Sequence, residues 1–351
     1  MSVEVDTVAL PAPRWVLTPQ GRQVLRYALG ATVCMTLALG IGWPLSFMTP
    51  VLALGFLAAP ARLSLKDGVG LVLTIAGACG VGLLMTHYFM SFPLVFLPLL
   101  GLALFRLFYA KSGGASPLLI TWLLIALLAL PLVGMQSQQL AIFVALGIIK
   151  GAVVTVVLVW LIWAAIPAPP PLPVEPGAPQ PAAPPPPTSA ERFRSAVLST
   201  AVVFPAVVAF YTLQWTGSLL VLIFIAMLSL QPAFAANFKA GGALIIGNVI
   251  GGLAAIAFYE LLVMVPAFPF MVLLTLLSGL LFGAQVFSGK KTAGLFGMAF
   301  STVLLVIGST TGGDGEADAK VTTRVIQIMI AVIYVVSAFG LLQRLTRGRR
   351  N

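Results

Sequence analysis

The chain has 351 residues, of which 60% are hydrophobic and 8% charged, and its mean hydropathy is +1.08. Soluble globular proteins carry about 25% charged residues, so this composition excludes a soluble fold. Apolar runs such as 118–132 show no alternation of polar and apolar residues, which excludes a membrane β-barrel and indicates membrane-spanning helices. The net charge of +10 does not indicate nucleic acid as a partner, because basic residues in multispan proteins mark cytoplasmic loops.

Twelve apolar runs predict an all-α polytopic membrane protein with about twelve transmembrane helices. Six lie at about 25–44, 47–63, 68–88, 92–109, 116–134 and 139–166, and six more at about 195–213, 217–234, 241–263, 268–287, 292–308 and 324–342. The second run of each set is short, which is typical of a broken or re-entrant helix. Half of the positions in 167–190 are proline, which predicts a polyproline linker.

These features predict five parts of the chain. They are a cytoplasmic segment 1–24, a six-helix repeat 25–166, the proline-rich cytoplasmic linker 167–190, a second six-helix repeat 191–343 and a basic cytoplasmic tail 344–351. With the N-terminus placed in the cytoplasm, sixteen of the 19 basic residues fall on the inner side. The positive-inside rule therefore predicts that both termini and the linker are cytoplasmic. We expect a multi-pass protein of the bacterial inner membrane without a cleavable signal peptide.

The two sets of helices resemble each other in sequence. Matching pairs recur at offsets of 168 to 176: Arg26 and Arg194, Trp43 and Trp215, Pro60 and Pro232, Lys66 and Lys239, His87 and Glu260, Pro93 and Pro269, and Lys150 and Arg324. Because each set has an even number of spans, the pattern predicts two parallel repeats related by an axis along the membrane normal.

The chain lacks the residue clusters that enzymes need. It has one histidine, and it contains no HExxH or GxSxG motif. The stretch Gly283–Thr292 has one residue too many between its glycines for a phosphate-binding loop. We therefore expect no enzyme activity, no cofactor and no metal site, and we interpret Cys34 and Cys79 as core residues.

Lys150 is a cation inside an apolar run, and Arg324 is its repeat mate at a similar depth. A charge in the bilayer interior costs several kcal/mol. One interpretation is that both side chains extend to the interface or pair with an acid. The other is that they line a substrate path and attract an organic anion.

Two further pairs of polar residues are candidates. His87 and Glu260 end the third span of each set at the outer interface, where they either terminate helices or take up protons that drive transport. Gln231 and Asn237 flank the inner end of the short second span of the later set, where they either cap a helix or line the substrate path.

The segment 228–239, which contains Gln231-Pro232, and the glycine motif Gly247-Asn-Val-Ile-Gly251-Gly252 together resemble the fusaric acid resistance and aromatic acid exporter family. In that family a Gln-Pro after the short second span leads through basic residues into a Gly-Thr-x-x-Gly helix. Asn248 stands here at the usual threonine. The proline linker stands where that family commonly has a large cytoplasmic domain, so the chain resembles a compact branch.

The resemblance implies an inner-membrane efflux component that exports aromatic or other hydrophobic organic acids. It also implies a periplasmic adaptor of the membrane-fusion type as partner, beside membrane lipid, and it leaves the oligomeric state open. Proton coupling is expected by exclusion, since no nucleotide-binding loop is present. Two alternatives are a transporter of the major facilitator type and a non-transporting scaffold of an envelope complex. The segment Arg62–Gly70 lacks the facilitator signature between spans two and three.

Overall fold

A computed structural model describes residues 18–42, 45–167, 187–230, 238–310 and 317–348. These residues form twelve α-helices. They are α1 (Pro19–Gly40), α2 (Met48–Ala58), α3 (Leu65–Phe89), α4 (Pro93–Ser112), α5 (Pro117–Gly134), α6 (Gln138–Ala165), α7 (Ser189–Thr212), α8 (Leu219–Ser229), α9 (Phe238–Met264), α10 (Phe268–Val286), α11 (Ala293–Thr310) and α12 (Ala317–Gly348). Ten of them are long and apolar enough to cross a membrane, and α2 and α8 are shorter. The predicted all-α polytopic membrane protein is confirmed.

Helix ends that differ from the prediction have local causes. Helix α1 begins at Pro19, earlier than the predicted residue 25, because the Thr18 hydroxyl accepts a hydrogen bond from the Gly21 N–H at 3.0 Å. Helix α12 begins at Ala317, earlier than the predicted run at about 324–342. Two of the predicted parts lie mostly outside the described residues. They are the N-terminal segment, of which 1–17 is not described, and the linker, of which 168–186 is not described.

Helix packing follows a two-fold pattern, as expected for a duplicated chain. Helix α3 packs along α5, and α9 along α11; α2 packs on α6, and α8 on α12. The fourth helix of each half packs on the first helix of the other half, so that α10 contacts α1 and α4 contacts α7. The two halves therefore interlock, which the sequence did not indicate.

The residues that each half buries also correspond. The face buried by α1 recurs in α7 at an offset of 168, in the pairs Ala28 and Ala196, Ala31 and Ser199, Cys34 and Val202, and Ala38 and Ala206. The face buried by α3 recurs in α9 at an offset of 173, in the pairs Ala78 and Gly251, Gly82 and Ala255, and Met85 and Phe258. Cys34 and Cys79 are buried free thiols, in agreement with their interpretation as core residues.

The second span of the first half is a broken crossing. We name the end of the bundle at which α1 and α7 begin the inner end, and the opposite end the outer end. Helix α2 has 11 residues, roughly 16 Å of helix against a hydrocarbon core of about 30 Å. Before it, the Ser46 hydroxyl donates to the Gly308 carbonyl near the outer end of α11 at 2.8 Å. After it, the Leu63 carbonyl accepts from the Trp160 indole near the inner end of α6 at 2.9 Å. Non-helical residues on both sides of α2 therefore complete the crossing.

The glycine motif of α9 serves close helix packing. A Cβ atom at Gly251 would lie 2.6 Å from the Ala299 carbonyl oxygen of α11, and one at Gly252 would lie 2.9 Å from Val325 of α12. Asn248 is buried beside them and accepts a hydrogen bond from the Thr302 hydroxyl at 3.1 Å. Small residues let membrane helices approach closely, so these contacts explain the motif without a ligand.

We expect the inner end to face the cytoplasm, because the basic residues concentrate there. Reporter fusions after Thr188 and Asn351 should give cytoplasmic signals, and a fusion after Asp314 should give a periplasmic signal. A periplasmic signal at Thr188 would contradict two six-span halves, since an odd number of crossings would then precede the second half.

Candidate functional site

A cavity of about 400 Å³ opens at the inner end between the two halves. Helix α4 of the first half and helices α7, α8 and α12 of the second half form its walls. Its lining includes Phe108, Lys111, Ser112, Glu191, Arg192, Ser195, Ser199, Ser229, Leu230 and Phe339. We call it the inner cavity. It extends from Arg192 to Ser199 along α7, roughly 10 Å towards the membrane interior.

The end of α8 shapes the deep part of the inner cavity. This helix stops at Ser229, so its last carbonyls lack partners within the helix. The Ser199 hydroxyl donates to the Ser229 carbonyl at 3.2 Å, and the Ser229 hydroxyl donates to the Ile225 carbonyl at 2.8 Å. Both serines are buried, and their oxygens retain acceptor capacity.

The rim of the inner cavity carries two cations. Lys111 near the end of α4 and Arg192 in the first turn of α7 are both partly buried. The Arg192 Nε–H donates to the Pro187 carbonyl at 3.2 Å, which leaves its terminal N–H groups for other partners. Among the described residues, no carboxylate lies within ion-pair distance of either cation.

Glu191 is the one carboxylate among the described lining residues, and its hydrogen bonds go to the residue that caps the start of α7. Its Oε2 accepts hydrogen bonds from the Thr188 N–H at 2.8 Å and from the Thr188 hydroxyl at 3.0 Å. Together with the bond from the Glu191 N–H to the Thr188 hydroxyl, this is a capping box. The rim therefore keeps a net positive charge above the buried apolar walls of Phe108, Leu230 and Phe339.

The corresponding position in the first half is closed. There Ala31 occupies the place of Ser199, and Leu57 occupies the place of Ser229. Leu57 is fully buried against Gly30, where even a Cβ atom would collide with it. The two repeat-related positions have therefore diverged, and the inner cavity lies where α4 meets α7, α8 and α12.

Lys150 lies on the outside of the bundle. It is exposed on α6, on the same face as the exposed apolar residues Phe143, Leu146, Val153 and Val157. It stands about 18 Å along the helix from the outer end of α6. In a single chain Lys150 therefore does not line a path inside the bundle, and an anion attracted by it would lie on the outer surface of α6. Arg324 lies in α12, and its side chain, like Gln231 and Asn237, falls outside the described part of the structure.

His87 and Glu260 lie at the outer end, far from the inner cavity along their helices. Both side chains are exposed near the ends of α3 and α9. The His87 Nδ1 is hydrogen-bonded to the Gln138 side-chain amide at 2.8 Å, and its ring meets Tyr88 edge to face. The structure thus separates these predicted proton carriers from the cations at the inner end.

Sequence reasoning missed the members of the inner cavity. Lys111 and Arg192 were counted with the other cytoplasmic cations, and nothing in hydropathy sets them apart. A comparison of the two repeats could have indicated the cavity, because Ser199 and Ser229 stand at the positions of the apolar residues Ala31 and Leu57.

Residues 23–162, which cover most of the first half, match a family described as "Protein of unknown function (DUF2955)". No curated protein and no solved structure matches the chain. The family description assigns no activity. The resemblance to aromatic acid exporters therefore stays a prediction based on the motifs, whereas the helical architecture is compatible with a membrane transporter in general.

Proposed function

We propose that this protein is an inner-membrane efflux transporter for organic anions with an aromatic or other hydrophobic body. The observation that carries the proposal is the inner cavity, which places two cations, neither paired with a carboxylate of the described residues, above buried aromatic walls. A carboxylate about 4 Å from one cation gains roughly 4 kcal/mol at an effective dielectric constant of about 20. The apolar body of the substrate would lie against Phe108 and Phe339.

The position of the cavity supports transport over a static role. Its walls come from both halves, and substrate paths between two repeats are typical of secondary transporters that rock one half against the other. The C-terminal end of α8, at Ser229, lies at the deep end of this cavity, and helix ends of this kind are common at substrate sites of transporters. A scaffold would not need a charged cavity open at one end of the bundle.

The finer parts of the proposal rest on the sequence resemblance. The motif residues around Gln231 and Gly247 suggest an exporter of aromatic acids that works with a periplasmic adaptor. Co-purification of the full chain with a membrane-anchored periplasmic protein encoded beside it is the matching test of the partner.

Transport by cavity variants tests the proposal. In inverted membrane vesicles that accumulate a labelled hydroxybenzoate, Lys111→Gln and Arg192→Gln should each raise KM about tenfold, the effect of losing ~1.4 kcal/mol of anion binding. The double variant should transport at the level of empty vesicles. Ser199→Phe should also block uptake, because it fills the deep cavity without changing its charge.

Arg106→Gln is the matched control, since Arg106 is an exposed cation on the same helix as Lys111 and does not line the cavity. It should leave KM unchanged. Lys150→Gln separates the two interpretations of that residue. Normal transport by the Lys111→Gln, Arg192→Gln variant, with loss in Lys150→Gln, would contradict the inner cavity as the substrate site.

A further inference from the structure

A second cavity lies at the inner end of the first half, on the membrane-facing side of α3 and α6. It measures about 460 Å³ and is lined by Arg62, Leu63, Ser64, Leu65, Trp160, Trp163 and Ala164. We call it the α3–α6 cavity. It shares no lining residue with the inner cavity.

Buried donors without acceptors occur in Trp163, which lines the α3–α6 cavity, and in Arg26, which packs against the Trp163 ring. Trp163 lines it and is 7% exposed, and its indole N–H has no hydrogen-bond partner. The guanidinium of Arg26 stacks on the Trp163 ring at 3.5 Å from the centroid. Arg26 is 1% exposed, and its Nε and one terminal nitrogen also lack a partner. A buried cation with unsatisfied donors is costly, so this cluster calls for an anion nearby.

The start of α3 adds positive potential at the same place. Ser64 caps the helix by accepting from the Asp67 N–H at 3.1 Å, and its hydroxyl donates to the Asp67 carboxylate at 2.6 Å. The Trp160 indole N–H donates to the Leu63 carbonyl and is therefore not free to bind an anion. Arg62 supplies an exposed cation in the lining. An anion in the cavity would therefore lie beside Arg62, the Trp163 side chain and the positive end of α3, while the Asp67 carboxylate accepts its hydrogen bond from the Ser64 hydroxyl.

Apolar strips lead away from the α3–α6 cavity along the outside of the bundle. On α3 they are Leu65, Val69 and Leu73, which are 69%, 49% and 66% exposed, and on α6 they are Val157 and Leu161. The two helices touch at Gly68, where a Cβ atom would lie 2.7 Å from the Trp160 ring. A ligand with a polar head in the cavity can thus extend an apolar chain along this seam.

We propose that the α3–α6 cavity binds the phosphate headgroup of an anionic phospholipid of the inner leaflet, with an acyl chain along Leu65, Val69 and Leu73. Basic pockets between helices at the cytoplasmic side suit such headgroups. Tryptophans at the level of the headgroups favour the same placement. This site is independent of the proposed substrate cavity and serves to anchor or regulate the first half.

Thermal unfolding of the full chain in detergent tests the site. Added phosphatidylglycerol should raise Tm more than phosphatidylcholine, and inorganic phosphate should not replace it. Arg62→Gln should raise the phosphatidylglycerol concentration for half-maximal stabilisation about fivefold, as expected for one basic residue at a headgroup. Trp163→Phe, which keeps the ring and removes the N–H, should have a similar effect.

Arg106→Gln is again the control and should respond like the unmodified chain. Equal stabilisation by both lipids, or an unchanged response in both Arg62→Gln and Trp163→Phe, would overturn the proposal. Equal stabilisation by inorganic phosphate would show a free-anion site and would overturn the lipid assignment. Transport through the inner cavity would be unaffected by these outcomes.

Discussion

Replacing Gly82 by leucine should remove most of the folded protein, whereas the same change at Gly77 of the same helix should be tolerated. A Cβ atom at Gly82 would lie 2.6 Å from the Ala126 carbonyl oxygen of α5 and 2.9 Å from the Leu130 side chain. Backbone oxygen cannot move aside without separating α3 from α5. At Gly77, which is exposed, a Cβ atom would meet nothing within 4 Å.

The expected cost follows from overpacking. Extra methylenes in a well-packed interior cost about 1–3 kcal/mol and occasionally more, and α3 would lose its close contact with α5 as well. Size-exclusion chromatography of detergent extracts and thermal unfolding should show aggregation or a much lower Tm for Gly82→Leu. Gly77→Leu should elute and unfold like the unmodified chain. Equal behaviour of the two variants would contradict the packing of α3 on α5.

Helix positions were predictable because a membrane span needs a long apolar run, and the runs in this chain end at prolines, glycines and polar residues. Which face of each span is buried was not predictable. Helix α5 is apolar all round and is buried on most of its surface, whereas α3, whose apolar stretch is similarly hydrophobic, exposes Val69, Leu73 and Val81. Lipid and protein interior are equally apolar, so hydropathy does not distinguish them.

The packing of the two halves on each other was also not predictable from hydropathy. The contacts of α1 with α10 and of α4 with α7 join residues far apart in the chain, and no local pattern encodes such a pairing. The candidate site depends on this pairing, since Lys111 and Arg192 line one cavity from opposite sides of the junction of the two halves. Sequence reasoning could place both cations at the inner end, but it could not bring them to one cavity.

An uncoupler should abolish accumulation of an organic acid in energised inverted vesicles. Export of a monovalent anion from a negative interior already gains about 2.3 kcal/mol per 100 mV, so the uncoupler removes an electrical as well as a chemical driving force. Two ionophores separate these forces: nigericin removes the pH gradient, and valinomycin with potassium removes the potential. If protons are coupled to export, as the sequence predicts, nigericin alone should lower accumulation several-fold.

Variants at the outer end should then identify the proton carrier. The carboxylates among the described side chains are Asp67, Glu191 and Glu260, all exposed, and the Glu191 carboxylate is bound by Thr188. Glu260→Gln or His87→Gln should shift the pH dependence of transport, because each removes an ionisable side chain exposed at the outer end. Asp67→Asn, which changes a carboxylate at the inner end, is the control and should leave the pH dependence in place. Accumulation that resists nigericin but fails with valinomycin, with an unchanged pH dependence in both Glu260→Gln and His87→Gln, would contradict proton coupling and leave the membrane potential as the driving force.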